Sequence, residues 1–243
     1  MLNTRLSKHL DERNILTDCQ AGFRNKSRTT DHMFILKCLI DKYTNCKGSK
    51  FYACFIDFKR AFDTVIHPGI LIKMLKSDIG GKFYQLIKHM YTLNNLRVKV
   101  DNKLGPCFNS YIGVRQGDVL SPALFNLFIN DLPNCLLNCP DSVKLSTSRI
   151  DCLMYADDVI VFSDSADGLQ KRLKALESYC DTWCLNVNLK KTKVLIFNKS
   201  GRHIKEPFYF KSELIETVFK YKYLGVIFQS SGLFNYAKED LFN

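Results

Sequence analysis

The chain has 243 residues, is 46% hydrophobic and 24% charged, and carries a formal net charge of +11. That length fits one large domain or two small ones, and the balance excludes disordered, collagen-like and low-complexity classes. No apolar run approaches the roughly 18 residues that span a bilayer, and the polar, mixed-charge start from Met1 to Asp11 excludes a secretory signal.

Thr30–Cys46 carries Met33, Leu36, Leu39 and Ile40 at helical spacing, and Gly48 breaks the pattern. Phe51–Phe58 is apolar, aromatic and too short for a helix, so it reads as a buried strand. Pro68 at a first turn opens a helix through Leu75, Gly80-Gly81 interrupts, and Lys82–Tyr91 is a further helix. Leu96–Val100 and Phe108–Ile112 predict a hairpin around Asn102–Pro106. Ser121-Pro122 caps a helix through Asp131. Cys152–Phe162 reads as two short apolar strands around Asp157-Asp158, and Ser165–Trp183 as a long amphipathic helix. Val194–Phe197 and Tyr223–Phe228 are further strands. Helices and strands mix without regular β-α-β alternation, so the predicted class is α+β with an antiparallel sheet.

The positive charge favours an anionic partner, with nucleic acid ahead of solubility alone. It is concentrated: Lys190 to Lys205 holds six Lys/Arg and no acid. Trp183 precedes this stretch, and Phe208, Tyr209 and Phe210 follow it, the mixture a groove along a phosphate backbone would use. The ten cysteines are scattered without any Cys-x-x-Cys pair, which argues against a disulfide scaffold or a zinc site. Most of them read as small buried apolar residues in a reducing compartment, which makes the sequons at Asn25 and Asn198 chance matches.

Two places put carboxylates where a core pattern leaves no cheap room for charge. Asp57 stands inside Phe55-Ile56-Asp57-Phe58, and Asp157-Asp158 between Leu153-Met154-Tyr155 and Val159-Ile160-Val161. A solvated turn is the plainer alternative for the Asp pair. Carboxylates gathered from separate strands repel unless a cation lies between them, and a hard divalent ion with oxygen ligands meets that need.

Tyr155-Ala-Asp-Asp158 between apolar strands resembles the Tyr-x-Asp-Asp hairpin of reverse transcriptases. Phe55-Ile-Asp-Phe-Lys-Arg-Ala-Phe-Asp-Thr-Val65 resembles the first palm block of non-LTR (LINE-like) retrotransposon enzymes. Gln20-Ala-Gly-Phe-Arg24 with Arg28-Thr-Thr-Asp31 is similar to their fingers block, and Arg115-Gln-Gly-Asp-Val-Leu-Ser-Pro122 to their nucleotide-contacting block. Leu185-Asn-Val-Asn-Leu-Lys-Lys-Thr192 and Tyr221-Lys-Tyr-Leu-Gly225 resemble the block after the hairpin and the primer-grip strand. The six blocks keep family order and cover nearly the whole chain.

The resemblance implies a right-hand polymerase palm with partial fingers, in a chain truncated at both ends, without thumb, endonuclease domain or Cys/His knuckle. It divides 1–50 as partial fingers, 51–66 as palm, 67–115 as a fingers-palm connection, 116–220 as palm, and 221–243 as primer-grip strand and start of the thumb linker. Asp57, Asp157 and Asp158 are then catalytic ligands of two Mg²⁺ ions, with Mn²⁺ as a substitute, and Lys191 donates a proton to leaving pyrophosphate; Lys190 and Lys193 are close competitors. Asp63 reads as a solvated or capping acid. Arg24, Arg28, Phe62, Gln116 and Gly117 contact the nucleotide, Arg24 and Arg28 through the triphosphate. Phe62 lies under the sugar and excludes a 2′-hydroxyl; its alternative is a plain core aromatic. Tyr223, Leu224 and Gly225 hold the primer, although Tyr221 and Tyr223 also suit sheet packing. The implied activity is RNA-directed DNA polymerase, with RNA template, DNA primer and dNTPs as partners, no membrane, and a place in cytoplasm and nucleus. Two alternatives stand beside it: an RNA-dependent RNA polymerase sharing the palm, and a catalytically incompetent retroelement fragment that only binds nucleic acid.

Overall fold

The computed structural model describes residues 1–25, 27–139 and 143–233. The chain begins with α1 (Leu2–Glu12), α2 (Thr29–Thr44), β1 (Lys50–Ile56), α3 (His67–Lys76) and α4 (Gly81–Thr92). There follow β2 (Asn95–Val100), β3 (Lys103–Asn109), α5 (Ser121–Ile129), α6 (Leu132–Leu136), β4 (Lys144–Leu145) and β5 (Ser148–Arg149). The last elements are β6 (Cys152–Tyr155), β7 (Asp158–Ser163), α7 (Ala166–Trp183), β8 (Lys193–Asn198), β9 (Phe208–Phe210), β10 (Glu213–Val218), β11 (Lys220–Tyr223) and β12 (Val226–Gln229). They form two compact units that interleave along the chain. One comprises Met1–Leu16, Arg60–Asn130 and Trp183–Leu185; the other holds Thr17–Lys59, Asp131–Thr182 and the described residues from Asn186 on.

The first unit is helical, with an exposed β2–β3 hairpin. Helix α5 is apolar all round, and Leu124, Phe125, Leu127, Phe128 and Ile129 are all buried where α1 and α3 pack on it. Ser121 does not cap this helix. It is its first residue, and its hydroxyl donates to the Arg115 carbonyl at 2.6 Å. The hairpin turns at Asp101-Asn102, both with positive φ, which is the two-residue geometry that matches strand twist and is tighter than the loop predicted from Asn102 to Pro106. Trp183 is buried: its ring stands edge-on to Phe128, and the Lys73 ammonium lies 3.7 Å from its centroid. It therefore belongs to this core and not to a nucleic-acid groove. Helix α1 has a weak apolar pattern, since only Leu6 and Leu10 bury, among polar neighbours.

The second unit is built on a six-stranded sheet in the order β6-β7-β1-β8-β10-β9. Its pairs are antiparallel except β8 with β10. The sheet is thus antiparallel as expected but for one pair, where Lys199–Ser212, with β9 inside it, carries the chain back so that β10 runs beside β8 in the same direction. Phe51, Ala53 and Phe55 of β1, Ile160 and Phe162 of β7, and Leu195 and Phe197 of β8 form one core with Leu36, Leu39 and Ile40 of α2. Tyr223 and Phe228 from β11–β12 close the same core. Tyr223–Phe228 is thus a hairpin and not one strand, with Leu224 and Gly225 at its turn in positive φ. Phe208 and Phe210 are buried as well, and only Tyr209 of that trio faces solvent. The ten cysteines are all free; Cys54, Cys152 and Cys180 are buried, whereas Cys46, Cys107 and Cys184 are exposed, so burial is less general than expected. Among the described residues no helix is long and apolar enough to cross a membrane.

A buried ion pair locks this unit. Arg172 of α7, fully buried, donates to Asp151 at 2.7 Å, and Arg149 donates to the other oxygen of the same carboxylate. Asp151→Ala leaves the Arg172 guanidinium buried without that carboxylate. It should cost about 3–5 kcal/mol, read as a lower urea midpoint.

Candidate active site

Strand register brings the acids together. β1 pairs with β7 through Phe55–Ile160 and Ile56–Val159, so Asp57 and Asp158 stand one step beyond the last pair. β7 turns back into β6 through Tyr155–Asp158, with Ala156 and Asp157 in the bend. The apolar strand ends force the carboxylates to the sheet's edge, because each strand is buried up to that step. Ala156 has φ +56°, and Asp157 has not, which is the φ pattern of a type II′ turn with Ala where Gly is favoured.

Segment 186–192 frames Asp57 on every polar group. The Asn188 side-chain amide donates to Asp57 Oδ2 at 3.0 Å, and its backbone N–H donates to the Asp57 carbonyl at 2.7 Å. The Asp57 N–H donates to Thr192 Oγ1 at 3.2 Å. The Asn188 carbonyl in turn accepts from the Lys191 and Thr192 amides. Lys191 Nζ lies 3.8 Å from Asp57 Oδ1. Lys191 is therefore the lysine paired with Asp57, whereas Lys193 pairs with Glu216 at 2.7 Å. Asn188 was not singled out from sequence. Its signal was a polar residue between Val187 and Leu189, inside the segment already quoted.

The field at this edge is negative and half-desolvated. Burial pushes the Asp157 carboxyl above the ordinary range, and the Asp57 charge pushes it the same way while Lys191 opposes. Asp158 rises for the same first cause, with Asp157 and Asp57 adding. Tyr221 stacks on Phe55 at 4.4 Å between centroids, and burial with the Asp158 and Asp57 charges pushes its phenol up to about 12. The buried Tyr223 phenol rises through burial, then through Asp158. The β11–β12 hairpin therefore stands in the field of the carboxylates, with both tyrosines serving as sheet packing. Among the described residues no three His, Cys, Asp or Glu side chains converge closely enough to grip a metal. The donor chemistry still suits a hard divalent cation, because all three groups are carboxylates and their mutual repulsion favours positive charge between them.

A second cluster lies in the helical unit. Phe62 is half-buried and stacks on Phe125 at 4.4 Å, which makes it a core aromatic with one part exposed. The Val114 and Gly113 amides donate to the Phe62 and Val65 carbonyls, strapping loop 113–118 along 62–66. The Gln116 amide donates to Asp63 at 2.8 Å, so Asp63 anchors the loop rather than standing solvated alone. Gly117 has φ +85° and open space where a Cβ would be, so a ligand can approach its backbone. Arg24 is turned to the Thr17 and Gln20 carbonyls, at 2.8 and 3.2 Å. Arg28 is exposed at the start of α2, where its N–H donates to Asp31 at 2.8 Å.

The reverse transcriptase (RNA-dependent DNA polymerase) family matches residues 1–228. The chain is 31% identical over 240 residues to the probable RNA-directed DNA polymerase from transposon BS of Drosophila melanogaster, covering 93% of this chain and 25% of that protein. It is 31% identical over 224 residues to the RNA-directed DNA polymerase from mobile element jockey of Drosophila funebris, covering 87% and 23%. It is thus similar to about a quarter of the length of these relatives. Among solved structures, telomerase from Candida tropicalis in complex with a telomeric RNA fragment superposes with a TM-score of 0.66 at 13% identity, over 96% of this chain and 36% of that one. The fold is shared with that right-hand polymerase.

The raised carboxyls set a pH dependence. Asp157 and Asp158 hold protons more tightly folded than unfolded, so stability falls as pH rises from the ordinary aspartate value of 3.8 through their raised values. Asp157→Asn should therefore raise the melting temperature at pH 7 in the absence of divalent ions. The gain should vanish well below pH 3.8, where both states are protonated.

Proposed function

Because the chain belongs to the reverse transcriptase (RNA-dependent DNA polymerase) family, we propose that it carries the polymerase core of a non-LTR retrotransposon enzyme. It would extend a primer 3′-hydroxyl with deoxynucleotides on an RNA template. The observation that carries this reading is the meeting of Asp57 with Asp157-Asp158 at the end of the β1–β7 ladder, with Lys191 against Asp57.

Asp57, Asp157 and Asp158 would hold two Mg²⁺ ions, or Mn²⁺ in their place. Such ions supply Lewis acidity that activates a hydroxyl and neutralises a leaving pyrophosphate. Asn188 and Thr192 fix the Asp57 backbone and its Oδ2, while Oδ1 lies beside Lys191. Lys191 offers a proton and a charge to the pyrophosphate. Gln116, through Asp63, fixes the loop on which Gly117 admits a nucleotide. Phe62 lies beneath the sugar, held by Phe125. Arg28 meets the triphosphate, and Arg24 holds the loop behind it while keeping donors for the same anion. Tyr223 anchors the hairpin whose turn, Leu224-Gly225, meets the primer terminus. The palm would comprise 51–66 and 116–220, with fingers in 1–50, a connection in 67–115 and the primer grip from 221. Cytoplasm and nucleus are where its substrates lie.

Purified protein given RNA template, DNA primer, dNTPs and Mg²⁺ should extend the primer, and Asp157→Asn should reduce extension by at least about 10³-fold. Salt-dependent binding of template-primer with no extension would support a binding-only protein instead. Phe62→Ala should raise ribonucleotide incorporation relative to deoxynucleotide by about 10-fold or more; an unchanged ratio removes Phe62 as the sugar gate.

A further inference from the structure

Gln20 is almost fully buried, at 1% exposure, and its side chain lies against the hairpin that carries two of the three acids. The backbone of Cys19–Ala21 runs parallel to β6: Met154 N–H donates to the Cys19 carbonyl at 2.8 Å, and Ala21 N–H to the Met154 carbonyl at 2.9 Å. The next step of this ladder would pair with Ala156. The backbone does not make it, because the chain turns away at Gly22. The Gln20 side-chain amide makes it instead. Its Oε1 accepts the Ala156 N–H at 2.9 Å, and its Nε2 donates to the Ala156 carbonyl at 3.2 Å. The same Oε1 accepts the Gly22 N–H at 2.8 Å. Two backbone N–H groups converge on one atom, and that atom must be the oxygen, so the amide orientation is fixed by chemistry.

Ala156 needs such a partner. It occupies a left-handed conformation in the bend between Tyr155 and Asp157, where an L side chain is disfavoured. Gly22 lets the clamp close: a Cβ there would stand 2.2 Å from the Ala156 nitrogen and 2.9 Å from the Tyr155 carbonyl carbon. Gln20 touches neither carboxylate. It acts on the backbone that aims them.

We propose that Gln20 is a positioning residue for the reaction, its carboxamide replacing a strand's backbone to hold Ala156 and so fix where Asp157 and Asp158 point. This rests on the polymerase reading above.

Gln20→Met keeps length and bulk and removes all three hydrogen bonds. Two measurements on the whole chain test the proposal. In amide hydrogen exchange, Ala156 and Gly22 should exchange at least about 10-fold faster than in the wild type, with β1 and β7 amides unchanged. In primer extension, kcat should fall about 10- to 100-fold with the dNTP KM within about twofold, as expected for a misaimed group rather than lost binding. Wild-type exchange at Ala156, or faster exchange with unchanged kcat, overturns the proposal. So does a kcat loss accompanied by faster exchange throughout the sheet, because the residue would then be structural only. Should Gln20→Met not fold, Gln20→Glu, which keeps both accepting contacts and loses the donor, takes its place with a smaller kcat loss expected and wild-type kcat overturning. If the wild-type chain itself does not extend primers, the polymerase reading fails, and exchange at Ala156 alone decides whether the clamp exists.

Discussion

The second unit depends on the register of β1 against β7. Phe55–Ile160 and Ile56–Val159 are buried pairs, and a slip by one residue would turn Phe51, Ala53 and Phe55 away from the core they share with α2. The core thereby fixes the step at which its ladder ends, and that step holds Asp57 and Asp158. The charges are gathered by hydrophobic burial of their neighbours, against their own repulsion. The Asp157 and Asp158 carboxyls are raised first by burial and then by the neighbouring carboxylate charges. An arrangement tolerated because the apolar core demands it is also one that attracts cations.

Around this edge, irregular segments are held by polar contacts rather than by packing. Asn188 and Thr192 satisfy the backbone of Asp57, and Gln20 satisfies that of Ala156. At Ala156 a side chain extends a ladder past the point where main-chain pairing stops, whereas at Asp57 the Asn188 main chain and the Thr192 hydroxyl share the task. The alternative, buried and unpaired N–H and C=O groups, would be costly at a half-desolvated edge. The loop 113–118 in the helical unit follows the same logic through Val114, Gly113 and the Gln116–Asp63 contact. Non-glycine residues in left-handed conformations recur at turns that matter here, Ala156 and Leu224 among them. Such turns persist only where the surroundings hold them.

Much of this was legible in the sequence. Asp57 and Asp157-Asp158 were conspicuous because charge interrupts strands that are otherwise apolar, and the strands formed where the pattern put them. Helices α2, α3, α4 and α7 follow their apolar spacing. Other readings failed for identifiable reasons. Tyr223–Phe228 reads as one strand because Leu224 hides a turn that normally uses Asn or Gly. Trp183, Phe208 and Phe210 looked like a stacking platform beside a basic run, and they are core, because local sequence does not reveal which face a distant helix or strand covers. Arg24 spends two donors on carbonyls four and seven residues back in its own loop, a local tie that its place in the sequence does not show.

The sequence by itself determined the family, the α+β class, the identity of the three acids and the basic character of the chain. These follow from residue type and order, and chemistry restricts them: carboxylates suit a hard cation, and apolar runs form buried strands. Tertiary structure alone decided which lysine stands by Asp57, that Asn188 holds the backbone of Asp57 and Gln20 that of Ala156, that β10 runs parallel to β8, and where the aromatics lie. These depend on contacts between residues distant along the chain, such as Gln20 with Ala156. A hydrogen bond across that separation leaves no local pattern, because either partner alone is an ordinary residue in an ordinary setting.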